Sequence, residues 1–596
     1  MDSRLNYYLK ENFYFDFDDL NQLRIAGPGN HLFLGWTLPL QVELNVQNYY
    51  IENKQLVIEL GSNIKDIKTH CPLVTDIRTI RDYTEQKRPR ISYEALAIQK
   101  ISEVLPKKVK FLYDDAYNIL SLKNKYVDSL GNKKEYGVRI QVPKEVMMDY
   151  KNDEFYLHST TDNNIQIVIK TINNLEDVIY NASLYVPKEQ FRQNIFSPFL
   201  EKIYDESSVC IDHLIKNNKT SSFEYGTIFP RDWMESADLG SEDFSEETID
   251  YMYQRALEHI SDEGEGWHEN FIGQSITKSG IQDIIDRKMI DIEPHYILGL
   301  KYVSSKFILD STNANKLKKV AHFIVNNARS NEYISFKKKK DNENYYRVGN
   351  WRDSNSAYPG QESPLAPYDV NCVFYPLCLR IISDYNALFQ FDEIELDQLI
   401  KKWQTHKGKY RMYHPDNIIG YSIALHGKKN KPMPISHLDE SFDLFYGNPS
   451  FHEVDSFAKK IINPNYFYTP VGPLLVASDE MDFSTYHYHG KVIWPKQSAF
   501  SIAGLTLQYK RGVNEDWPDE ILKQIRNAII VTSEACFEGW QDLGYAPELY
   551  YYDLLEDKAR LYTDQVDYEA QMSNIQLWSS VAVKRIMNDY YYIKTL

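Results

Sequence analysis

The sequence predicts an α+β multidomain chain: an N-terminal antiparallel β-sandwich over residues 1–190, then an (α/α)6 barrel over residues 191–596. Three observations predict it. At 596 residues the chain is longer than one hydrophobic core usually supports. Its N-terminal part alternates apolar and polar residues with period two. From about Phe191 onward, apolar residues recur near every third or fourth position instead.

In the first part, Gln41–Val46, Gln55–Leu60 and Ile165–Lys170 carry the alternation and β-branched content of strands. Turn residues at Asp128–Asn132 and Thr161–Asn164 separate them, as antiparallel pairing requires. No loop here pairs an acid with an aromatic, so this part is expected to support rather than catalyse. In the second part, Ile195, Phe199, Ile203 and Leu214 start the helical pattern. It continues over 246–260, 292–308, 313–327, 369–388, 394–404, 496–509, 518–538 and 568–590. Allowing for missed elements this gives roughly ten to twelve helices with long loops between alternate pairs. Helical hairpins with loops gathered on one side describe a six-hairpin α-barrel. Periodicity alone does not separate that from a helical solenoid, although no fixed-period repeat is present. Lys337–Lys340 reads as a solvated loop.

Composition narrows the function classes. Hydrophobic content of 43% and charged content of 25% are ordinary for a soluble globular enzyme. A net charge of −17 argues against nucleic acid or an anionic membrane as partner. No stretch approaches the ~18 apolar residues of a membrane helix, and Met1–Lys10 does not read as a secretory signal. The five cysteines are scattered, without CxxC or Cys/His ligand spacing, which fits reduced thiols and a cytoplasmic location. Cys372 and Cys378 lie in an apolar helix pattern, where Cys is usually a small core residue. Neither cofactor nor metal is expected, and the oligomeric state is left open.

Chemistry concentrates in five stretches of the helical part. The first, Gly226–Glu235, holds Arg231, Asp232 and Trp233 just after a proline, so that a carboxylate, a guanidinium and an indole can clamp sugar hydroxyls. A structural Arg–Asp pair explains the same residues. The second, Gly266–Asn270, offers Trp267, His268 and Glu269 to a pocket or to an exposed turn. The third, Gly349–Gly360, places Trp351, Arg352 and Asp353 consecutively between Gly and Pro residues, which argues for a loop held in one shape.

The fourth stretch, Tyr486–Pro495, contains His487, His489 and Trp494. Two His at i and i+2 without a third ligand do not make a metal site; donors to substrate hydroxyls fit better. The fifth, Gly544–Leu549, puts Glu548 on a loop after a helix, with Trp578 following. Two carboxylates far apart in sequence, each on an aromatic loop, are what glycoside hydrolysis requires. One is protonated to assist the leaving oxygen, and the other is ionised to activate water or attack the anomeric carbon.

The ordered set Trp351-Arg352-Asp353-Ser354, Tyr488–Pro495, Pro547-Glu548-Leu549 and Gln576–Ser579 resembles the catalytic domain of bacterial amylo-α-1,6-glucosidase (glycogen-debranching) type proteins. It is similar more broadly to inverting α-barrel glucosidases: glucoamylases, trehalases and processing α-glucosidases. The resemblance covers roughly residues 195–590. It implies that Asp353 is the general acid, Glu548 the general base, and Arg231 with Asp232 the pair that holds the terminal sugar. The implied substrate is an oligosaccharide or polysaccharide, with glucose the expected sugar. Two departures bear on sugar and linkage: Tyr488–Pro495 replaces the family's Asn-Gly-Thr/Ser-Val-Trp-Pro, and Met572–Trp578 replaces its Cys-Ser-Pro-Gln-Ala-Trp. A phosphorylase on the same barrel would need only the acid and a phosphate pocket. An inactive carbohydrate-binding protein would keep the aromatics, and an epimerase would use His487 or His489 as base.

Overall fold

The computed structural model describes residues 6–10, 13–17, 22–26, 33–38, 41–53, 55–70, 73–75, 110–114, 117–127, 133–151, 154–161, 163–173, 184–185, 195–221, 227–271, 284–337, 349–360, 362–565, 567–570 and 572–596. The turn expected at Asp128–Asn132 and the lysines at 338–340 lie outside them. The chain divides into a sheet-rich N-terminal unit and a helical C-terminal unit. The first is Met1–Asn181 with His213–Thr227 and Asn270–Ile284; the second is Ala182–Asp212, Ile228–Glu269 and Ile285–Leu596.

In the first unit, strands Leu44–Glu52, Gln55–Ser62, Gln166–Asn173, Lys133–Gln141, Ile119–Val127 and Lys110–Asp114 lie side by side in one sheet, in that order. Every neighbouring pair is antiparallel, so sequence-adjacent strands join by short turns. A five-stranded and a three-stranded sheet accompany it. The alternation read in the sequence is what fills the core. Ile58 and Leu60 of one strand pair with Ile169 and Ile167 of its neighbour in the buried core, and Trp36 packs edge-on to Phe155 at 5.7 Å.

Twelve helices of seven or more residues lie among the described residues. They are α1 Pro198–Lys216, α2 Pro230–Leu239, α3 Glu246–Ala256, α4 Ile292–Leu298, α5 Ser311–Ser330, α6 Tyr375–Asp384, α7 Glu393–Gln404, α8 Glu440–Tyr446, α9 Phe451–Ile461, α10 Pro495–Asn514, α11 Asp519–Leu543 and α12 Leu577–Thr595. A single π-helical segment, Asp369–Phe374, leads straight into α6.

The packing order places the site. Helix α2 packs on α4, α4 on α6, the π segment of α6 on α8, α8 on α10, α10 on α12, and α12 back on α2. Six helices thus close a ring. Around it, α3 lies on α2, α5 on α4 and α6, α7 on α6, α9 on α10, and α11 on α10 and α12. The ring helices α2, α4 and α8 are buried along nearly their whole length, whereas α3, α5 and α7 bury one face and are capped in water by Ser245, Asp310 and Asp392.

Three elements differ from the sequence reading. Pro230 opens a helix rather than a loop, because a proline at the first helical position loses no needed hydrogen bond. The last helix begins at Leu577, not near residue 568, after a turn in which Glu548 N–H donates to the Ser573 carbonyl. Helices α8 and α9 are additions to the periodic pattern; α8 is buried almost all round, so no polar stripe gives it away.

Candidate active site

Two ring helices begin alike. Phe229-Pro230-Arg231-Asp232 opens α2, and Trp494-Pro495-Lys496-Gln497 opens α10. The proline fixes the first turn, and the next residues are carried inward from the helix N-terminus. Helix α12 starts after Gln576. These three N-termini supply a buried polar cluster. Arg231 lies 3.4 Å from Asp232 and 3.3 Å from Asp291. Gln576 Nε2 donates to Asp232 Oδ2 at 3.5 Å. Lys496 donates to Glu235 at 2.9 Å, and its ammonium sits 4.3 Å from the Trp351 ring centre and 4.4 Å from that of Trp578. Burial pushes the Asp232 carboxyl up to about 7, while Arg231 and then Lys496 pull it down.

Asp353 differs from this cluster. Its side chain keeps 34% of its surface open, yet protein closes around it and burial raises its carboxyl above the usual range against the pull of Arg231 and His268. The His268 ring lies between two acids, Nε2 3.9 Å from Asp353 and Nδ1 3.8 Å from Asp286. Asp353 therefore has a cationic neighbour on the Arg231 side and an imidazole within charge-contact distance.

Glu548 is buried on the loop after α11, whose left-handed C-terminal residue is Gly544 at φ 84°. Its two oxygens accept from the Tyr488 hydroxyl at 2.9 Å and the Ser573 N–H at 2.6 Å. Those partners tie it to the rest of the site. Ser573 and Gln576 belong to one turn, so the Glu548 and Asp232 carboxylates are held from the same short segment. Tyr488 belongs to the loop whose His489 carbonyl accepts from Arg352, the residue before Asp353.

Several residues proposed from the sequence already have partners within the protein. Arg352 is fully buried and forks two nitrogens onto Asp439, each at 2.8 Å. That pairing outweighs burial and holds Asp439 well below the usual carboxylate range. Arg352 therefore braces the Asp353 loop. Trp351 is 3% exposed, and its ring is occupied by Lys496 and by edge contacts with Phe442, His489 and Trp494.

Trp233 is fully buried beside Tyr251, and Trp267 donates to the Ala256 carbonyl at 2.6 Å. Trp494 donates to the Tyr488 carbonyl, and its ring stacks on His489 at 5.4 Å. Burial first, then Arg352 and Lys496, hold His489 well below the ordinary histidine range, so it is neutral. His487 accepts from the Ser484 N–H and shapes its own turn. Glu269 is buried beside His268, and Trp578 is buried under Lys496.

The sequence reading missed Glu235, Asp291 and Lys496. Lys496 had a signal: it follows Trp494-Pro495 as Arg231 follows Phe229-Pro230. Buried polar atoms without a hydrogen-bond partner gather here too, among them Asp232 Oδ1, Asp291 Oδ1, Gln576 Oε1, and the indole nitrogens of Trp351 and Trp578. Among the described residues no group of three or more His, Cys, Asp or Glu is placed to hold a metal ion. Nor is any described helix long and apolar enough to cross a membrane. Cys210, Cys372, Cys378 and Cys536 are buried free thiols.

No family model and no curated protein matches the chain. Among solved structures, it is similar to the GH63 mannosylglycerate hydrolase from Thermus thermophilus in complex with glucose, with 10% identity over 65% of this chain and 100% of that one, at a TM-score of 0.43. The complex of that hydrolase with Tris and D-glycerate matches with 11% identity over 64% and 99%, at 0.42. An uncharacterized conserved protein from the same organism matches with 11% identity over 65% and 100%, at 0.42. A likeness of this degree carries no argument about activity or residue roles.

Proposed function

We propose that this chain is an inverting glycoside hydrolase that releases a terminal sugar, with glucose expected, from α-linked oligosaccharides or glycogen-type glucans. Asp353 is its general acid and Glu548 its general base. One observation carries the reading: an accessible carboxyl raised by burial is joined, through a common set of loops, to a second carboxylate that accepts two hydrogen bonds. An acid that keeps its proton can protonate the leaving oxygen, and a carboxylate fixed by Tyr488 and Ser573 can draw a proton from water. Inversion asks for a separation of about 6.5–9.5 Å between the two carboxyls.

The closed ring of helices supports an (α/α)6 barrel, with residues 191–596 as catalytic domain and 1–190 as a sandwich-like companion. A cytoplasmic setting is part of the same proposal. Arg231, Arg352 and Lys496 each already hold a carboxylate, which supports water over phosphate as acceptor. Incubation with a panel of α-glucosides and α-mannosides, with and without phosphate, tests the reading. Free sugar released without phosphate is expected. A sugar phosphate formed only with phosphate, or no turnover of any glycoside, contradicts it.

Asp232 is assigned to the terminal sugar, braced by Arg231. Its bonds to hydroxyls tighten as the ring flattens toward an oxocarbenium ion, so part of their worth belongs to the transition state. Asp232→Ala is expected to lower kcat/KM by about 1.5–3 kcal/mol, roughly ten- to a hundredfold, with the fold retained. Melting temperature and kcat/KM on one preparation check this. A destabilised variant whose folded fraction keeps normal kinetics would make the pair structural.

A further inference from the structure

Glu569 lies on a segment that none of the site motifs includes, yet its side chain joins two of their loops. One carboxylate oxygen accepts from the Ser356 N–H at 2.8 Å, and the other accepts from the Tyr488 N–H at 3.0 Å and from the Ser356 hydroxyl. Ser356 is three residues beyond Asp353 on the same loop, and the Tyr488 hydroxyl donates to Glu548. The chain of bonds therefore runs from the Asp353 loop through Glu569 and Tyr488 to Glu548.

The segment carrying Glu569 is itself anchored to one of those loops. Its Tyr562 hydroxyl donates to the Tyr486 carbonyl, Gln565 Nε2 donates to the Thr485 carbonyl, and Glu569 N–H is shared between the Tyr486 carbonyl and the Tyr562 oxygen. With its backbone fixed to the Tyr486–Tyr488 loop, the carboxylate reaches across to Ser356. Only a carboxylate can do this, since both oxygens accept and three donors are satisfied at once.

We propose that Glu569 is a positioning residue that sets the spacing between Asp353 and Glu548 by clamping their two loops together. The proposal rests on the assignment of those two carboxyls as the reacting pair. Glu569 touches neither reacting carboxyl. Its effect is transmitted through Ser356 and Tyr488, and it should govern turnover more than affinity, because a catalytic group displaced by about 1 Å can cost on the order of a hundredfold.

Glu569→Gln keeps the shape but replaces one accepting oxygen with an NH2 donor, so the side chain can no longer satisfy all three donors and the link between the loops is weakened. Measured on wild-type and variant full-length protein with the glycoside the wild type turns over, kcat is expected to fall about 10- to 100-fold. KM and the melting temperature should stay near wild type. A variant with normal kcat, or one that loses melting temperature while its folded fraction keeps normal kcat, would overturn the proposal. Ser356→Ala serves as the second variant, since it removes one bond from a part-buried loop. Its smaller loss in kcat should shrink further in the Glu569→Gln background, and two fully additive losses would likewise overturn the clamp. If the wild type turns over no glycoside, the parent reading fails; normal wild-type turnover with an unaffected Glu569→Gln variant defeats the clamp alone.

Discussion

Asp353→Asn is expected to lower kcat by about two to four decades on α-glucosides whose leaving group is a poor one. The amide keeps the size and hydrogen-bonding reach of the carboxyl but has no proton to give. An activated aryl glycoside, whose leaving oxygen departs with less help, should lose much less. The wild-type pH profile carries the same information. Burial raises the Asp353 carboxyl, so the proton is held to a higher pH than an ordinary Asp would hold it. Activity on poor leaving groups should then fall as pH rises through that raised value, and the Asn variant should lack this alkaline limb. Steady-state kinetics on the two substrate types across pH checks both points.

Glu548→Gln is expected to be about as damaging, but for both substrate types alike, because each still needs an activated water. The substitution suits its surroundings. An amide can accept from the Ser573 N–H with its oxygen and donate its NH2 to the Tyr488 hydroxyl oxygen, so each partner keeps one bond to residue 548, with the Tyr488 bond reversed in direction. Loss of activity with an unchanged melting temperature would then report the missing base rather than a disturbed loop. Equal, mild losses in the Asp353 and Glu548 variants would mean that the pair is misassigned.

Local signals carried much of the fold. Strands such as Gln166–Asn173 and long helices such as α5 and α11 were legible because one face of each is buried and the period shows it. Helix α8 was not, since a helix buried almost all round has no period to read. The site was legible as a set of loops but not as pairings. Arg352 gave no sign that Asp439, 87 residues away, holds its guanidinium. Trp351 gave no sign that Lys496 lies over its ring. Both gaps have one cause: which polar group satisfies which is decided by packing between distant segments, and a single sequence does not record it.

The most direct test of the Asp353–Glu548 assignment is the stereochemistry of the first product. Proton NMR during hydrolysis of an α-linked oligosaccharide by the wild-type protein reports the anomeric signal before mutarotation blurs it. Water delivered by Glu548 from the face opposite the leaving group must yield the β-anomer first. Appearance of the α-anomer first would mean a covalent intermediate and a closely spaced nucleophile, and would contradict the account.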